Sequence, residues 1–168
     1  MKSRSSDPAL PARQTFFAKT GPIRHRADGL KLSVKSDYAT RAVLVLARRH
    51  TPGGTTRAEV IAAEGGIPPN YLTQILIELK AQDIVTSIRG KQGGYALARP
   101  PAEITLGEVL RGVCGPLLDT PAIASPTCPA ELKAAWRTLQ AAVEAASTRI
   151  TFQHLVDTSG ERDRMFYI

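Results

Sequence analysis

The sequence predicts a mainly α-helical fold that carries one small β-hairpin and closes with a long helix. Three observations lead to it. Leu72, Ile75, Leu76 and Leu79 follow the i, i+3, i+4, i+7 spacing that sets four apolar side chains on one helix face. Two short β-type runs, 84–88 and 95–97, flank the loop Arg-Gly-Lys-Gln-Gly-Gly, which is a hairpin signature. Leu132, Trp136, Leu139, Val143, Ala146 and Ile150 are spaced 4-3-4-3-4, a heptad seam.

The totals bound the answer. The chain has 168 residues, 43% apolar and 22% charged, which suits one compact domain with appendages. No apolar run approaches the roughly 18 residues of a membrane span, so no membrane partner is predicted. Scattered N-terminal cations without an apolar stretch do not make a secretory signal. Two cysteines do not form a disulfide framework, and a reducing cytoplasm is the expected location. The net charge of +7 is unevenly spread. Residues 1–31 hold seven Lys or Arg against two Asp, 32–99 hold nine against five acids, and 100–168 hold six against eight. The middle segment is therefore modestly basic, which fits nucleic acid and equally fits a solvated basic surface.

Residues 1–29 mix Ser, Pro, Arg and Gly without a period and read as a disordered basic extension, or as an artefact of a start chosen upstream of Leu30. Residues 36–50 predict a mostly buried first helix, stopped by Thr51-Pro52-Gly53-Gly54. Thr56-Arg57-Ala58-Glu59 has the form of a capping box and opens a short second helix that ends at Gly65-Gly66. Pro68-Pro69 leads into the third helix, since proline tolerates a first turn. Its leucine stripe leaves Asn70, Tyr71, Thr73, Gln74 and Ile77 toward the other side. After the hairpin, Thr105-Leu106-Gly107-Glu108 is a second capping box, opening a helix to about Val113. A loop rich in Pro, Ser and Thr follows, then a long helix from near Pro129, a short terminal turn and a polar tail.

Helix, helix, glycine-containing turn, helix and hairpin, in that order, make a winged helix-turn-helix. The expected division is a winged helix-turn-helix over 30–100, a short helix and loop over 101–128, a long dimerisation helix with its turn over 129–157, and a tail over 158–168. The third helix buries its stripe and can present its opposite face to the major groove. There Asn70 and Gln74 offer amides suited to adenine edges, and Tyr71 and Thr73 offer hydroxyls. The competing reading is a merely polar surface. At the hairpin tip Arg89 and Lys91 sit beside Gly90, Gly93 and Gly94. An arginine on a thin tip can enter the narrow minor groove, and a lysine adds a phosphate contact. An ordinary polar turn is the alternative there.

The runs KSDYATRAVLVLA and GIPPNYLTQILIELKAQDIVTSIRGKQGGYALARPPAEITLGEVL resemble the Rrf2 family of bacterial winged-helix regulators, closely over 30 to about 115 and more loosely beyond. The pattern Gly-Ile, Tyr-Leu, Ile-Leu, Ile-Val, Arg-Gly, Gly-Gly-Tyr and Leu-Ala-Arg is far more specific than a bare helix-turn-helix. The resemblance implies a dimeric transcription factor, usually a repressor, paired through the long C-terminal helix. It implies base contacts from Asn70, Tyr71, Thr73 and Gln74 to a double-stranded operator and a minor-groove contact from Arg89. Some relatives carry glutamate at the position of Thr73, so their operator preference does not transfer. Asp83 replaces a glycine of the pattern, and aspartate tolerates a left-handed turn.

Many relatives hold an iron–sulfur cluster on three loop cysteines, with thiolates as ligands. Here only Cys114 and Cys128 are present, and they are not in a tight pair. One related type manages with two cysteines plus an acid and a histidine one turn later on the first helix. Asp37 matches the acid, but Arg41 stands four residues on. No cofactor is therefore the leading expectation, with a cluster or a thiol redox switch as alternatives. Cys114 is expected to be a small core residue, and Cys128 an exposed thiol at a helix start. No enzyme is predicted. The chain lacks a Ser-His-Asp arrangement, and His154 lies about seven helical turns beyond Cys128. A winged-helix module for protein contacts, without DNA binding, is the rival of another class.

Overall fold

The computed structural model describes residues 32–90 and 93–165, so the N-terminal extension and Lys91 lie outside the described residues. The spine is α1 (Val34–Arg48), which packs against α2 (Ala58–Gly65), α3 (Pro69–Ala81), α4 (Leu106–Cys114), α7 (Phe152–Met165) and strand β2 (Gly94–Leu97). Its central position explains its composition. Ala39, Ala42, Val43, Val45, Leu46 and Ala47 are all buried, because small residues let several neighbours approach one helix. The Ser33 side chain caps α1 by accepting from the Ser36 N–H at 3.1 Å, and Asp37 complements the dipole in the first turn.

The apolar spacing of α3 is realised as expected. Leu72, Ile75, Leu76 and Leu79 are all buried, with Pro69 in the first turn. Gly66 takes φ +60 and turns the chain from α2 into α3. Asp83, at φ +53, makes the left-handed step from α3 to the hairpin. Strand β1 (Val85–Ile88) then pairs antiparallel with β2, with Val85 opposite Leu97 and Ile88 opposite Gly94.

The two Thr-x-x-Glu patterns behave differently. Thr105 caps α4, accepting from the Glu108 N–H at 3.2 Å. Thr56 does not cap α2. Arg57 occupies the N-cap position without a side-chain cap bond, and Thr56 is buried in extended backbone. Thr56 and Tyr95 exchange both backbone hydrogen bonds at 2.8 Å, so residue 56 adds a third edge to the hairpin. Backbone pairing holds the threonine one residue ahead of the N-cap position.

Two further differences follow α4. The expected loop contains a short helix, α5 (Pro121–Ala124), capped by Thr120 accepting from Ala122. The long helix is α6 (Ala130–Arg149), where Gly107 of α4 sits so close that a Cβ there would lie 2.4 Å from the Ser147 Oγ. Its end is tied back to α4 by Leu106 N–H donating to Ile150 and Phe152 N–H donating to Ile104. The short turn expected after Phe152 is instead the 14-residue α7, so the presumed polar tail from residue 158 is helical as far as Met165. Phe152 is fully buried, and Leu155 and Val156 pack on the core. Beyond them the helix runs on through Asp157, Thr158, Ser159 and Gly160, residues of low helix propensity that gave no helical signal in the sequence.

Candidate nucleic-acid interface

The exposed side of α3 carries the four residues singled out by sequence. Asn70 is exposed and makes no side-chain hydrogen bond among the described residues. Tyr71 is held by a T-shaped contact with Tyr38 of α1, with centroids 5.5 Å apart. Arg41 stacks over Tyr38 at 5.9 Å and pairs with Asp37 at 2.7 Å. The Thr73 hydroxyl donates to the Pro69 carbonyl at 3.2 Å, which leaves its oxygen free to accept. Gln74 donates through Nε2 to Glu78 at 3.0 Å, and Glu78 pairs with Lys35 at 2.7 Å.

Burial pushes the Glu78 carboxyl up, but the hydrogen bonds from Lys35 and Gln74 and the Lys35 charge outweigh it, leaving the group below its ordinary value. Lys35, Asn70, Tyr71, Gln74 and Ile75 line one open cavity of about 310 Å³ at the start of α3. Sequence reasoning missed Lys35, Tyr38 and Glu78. Lys35 and Tyr38 come from a different helix, and only their aromatic and basic character near the helix start could have drawn notice.

Lys80 Nζ donates to Ser87 Oγ at 2.7 Å, so the exposed flank of α3 adjoins the hairpin. At the tip Arg89 is exposed and makes no ion pair among the described residues. Gly90 adopts φ +118, and the Gly93 N–H donates to its carbonyl at 2.8 Å. A side chain at Gly94 would meet the Thr56 carbonyl oxygen at 2.7 Å, so this glycine lets the hairpin reach residue 56.

The expected core position of Cys114 is not found, and Cys128 is less exposed than expected. Cys114 is exposed, because it lies off the buried face set by Val109, Leu110 and Val113. Its Sγ lies 2.8 Å from the Ser36 Oγ and 3.2 Å from the Ser33 Oγ. Cys128 is half-buried, just ahead of the Pro129 that begins α6. On α6, Leu132 and Leu139 are 45% and 46% exposed. Trp136, Val143 and, just past the helix, Ile150 are half-buried, and Ala146 is exposed.

A family model described as "Rrf2: Iron-dependent Transcriptional regulator" matches residues 32–158. A protein of Mycobacterium tuberculosis named as an HTH-type transcriptional regulator is 36% identical over 136 residues, 78% of this chain and 82% of its own length. The HTH-type transcriptional regulator CymR of Bacillus subtilis is 32% identical over 141 residues, 83% of this chain and 100% of its own. The solved structure of CymR, described as the global cysteine regulator of B. subtilis, superposes with a TM-score of 0.67 at 28% identity, covering 77% of this chain and 98% of that one. IscR of T. potens gives a TM-score of 0.66 at 29% identity, covering 84% and 99%.

The iron in the family description does not fit the residues present. Among the described residues no three His, Cys, Asp or Glu side chains converge. The acid at Asp37 is paired with Arg41, a cation where a further ligand would be needed, and Cys114 is engaged by two serine hydroxyls. Helix order, hairpin and superposition agree with the family match, and the chain belongs to the Rrf2 family of DNA-binding transcriptional regulators.

Proposed function

We propose that two copies of this chain bind a two-fold operator in the cytoplasm and act as a repressor rather than as an enzyme. The N-terminal half of α3 enters the major groove with Asn70, Tyr71, Thr73 and Gln74, and Arg89, Gly90 and Lys91 approach the adjacent minor groove. The observation that carries this reading is the hydrogen bond between Lys80 and Ser87, which sets the hairpin beside the exposed flank of α3. The partner copy is expected along Leu132, Trp136, Leu139, Val143, Ala146 and Ile150. In one protomer only Ser147 of the twenty α6 residues is buried, so the helix has a face left to cover.

The test is a salt titration on a duplex selected from random sequence by the full-length protein. Binding should weaken steeply with salt, and Arg89→Ala should lower the slope of log affinity against log salt by about 1. Equal affinity for every duplex, with the variant matching wild type, would leave only a protein-contact module.

A second reading is control of DNA binding by thiol oxidation. It is favoured by the exposed Cys114 sulfur lying beside two hydroxyls at the start of α1. Peroxide, which converts a thiol to a sulfenic acid and water, would then lower affinity in wild type and leave Cys114→Ser unchanged. Equal responses of the two proteins rule it out.

A further inference from the structure

Ile77 is 58% exposed, the most exposed large apolar side chain on α3. A lone exposed isoleucine is ordinary on a protein surface, but its position here is not neutral. At 100° per residue, Asn70 and Ile77 stand about 170° and 150° from the centre of the buried stripe formed by Leu72, Ile75, Leu76 and Leu79. They are seven residues apart and share one ridge, with Ile77 about 10 Å further along the axis. A groove that follows α3 along its axis from Asn70 also receives Ile77.

The surroundings suit a nucleic-acid occupant. Lys35 and Lys80 flank the ridge, the first on Glu78 and the second on Ser87, so cations lie to both sides of the apolar side chain. Lys80, bonded among the described residues only to a hydroxyl, keeps its charge for a phosphate wall on its side, while Lys35 shares its charge with Glu78 on the other. The floor of the major groove offers one apolar group, the 5-methyl of thymine, and otherwise presents hydrogen-bond donors and acceptors. An isoleucine pressed against those polar edges would strip their water and return nothing. Ile77 thus favours one base and penalises the others.

We propose that Ile77 reads the 5-methyl group of a thymine in the operator. The inference rests on the proposed docking of α3 in the major groove. It assigns a specificity role to a side chain without hydrogen-bonding capacity.

The experiment uses the full chain and the tightest duplex recovered from random sequence, with each thymine replaced in turn by deoxyuridine, which lacks only that methyl. Fluorescence anisotropy measures affinity for wild type, Ile77→Ala and Ile77→Val. Wild type should lose about fourfold at one thymine position in each repeat of the selected site, the effect of one buried methyl-sized group. Ile77→Ala should bind the thymine duplex weakly by a similar factor and be indifferent to uracil there, while Ile77→Val should keep most of the discrimination. The side chain is exposed, so the variants should melt with wild type, and a shared melting temperature confirms that folding is not the cause. Wild type indifferent to uracil at every position, or Ile77→Ala as sensitive as wild type, overturns the inference while groove docking stands. A failure to select any preferred sequence overturns the docking reading itself, and the inference with it.

Discussion

Glu78 shows how a single carboxylate can belong to an interface and oppose it. It ties Lys35 and Gln74 together on the face proposed to meet the anionic duplex. Its carboxyl is held below the ordinary value, so the stabilisation from this group is fully present above about pH 4.3 and is lost as pH falls through the lower folded value. Partial exposure keeps the pair small, about 0.5 kcal/mol. Glu78→Gln should therefore cost little in thermal stability at pH 7 and abolish that acid-side component. By freeing Lys35 and removing a negative charge, it should tighten duplex binding roughly threefold at low salt. Weaker binding, measured by anisotropy, would show that the carboxylate orients Gln74 productively instead. The polar residues of α3 were legible because helical periodicity alone separates Leu72 from Asn70. The Lys35–Glu78 link was not, since it joins residues remote in sequence through tertiary packing.

At the scale of elements, local pattern and long-range pairing compete. Thr56 and Thr105 open the same Thr-x-x-Glu pattern, yet only Thr105 caps a helix. Thr56 is claimed by Tyr95, a partner that arrives with the hairpin. The hairpin consequently depends on Gly94, where an added Cβ would press on the Thr56 carbonyl. Gly94→Ala should cost about 1–3 kcal/mol, lower the melting temperature by several degrees, and weaken DNA binding through the displaced tip. An unchanged melting curve would mean that the hairpin moves aside freely. The helical extent of α7 escaped the sequence for a related reason. Its second half has no apolar face to announce it, and the apolar residues that pack on the core, Phe152, Leu155 and Val156, come early in it. Cys114 was misjudged because one residue at the end of a helix falls on either side of the buried face.

For the molecule as a whole, the open question of partners comes down to α6. Replacing Leu139 with glutamate should convert the protein to monomers in sedimentation equilibrium and reduce operator affinity by far more than tenfold, since two half-sites would no longer be engaged together. A dimer that survives the change would place the contact elsewhere. Under the proposed pairing along α6, where Leu132 and Leu139 stay about half exposed in one protomer, mass action would become part of the protein's stability. A dimer of that kind would have no single melting point. Each tenfold dilution should lower it, and scarcity alone would soften the fold that abundance keeps firm.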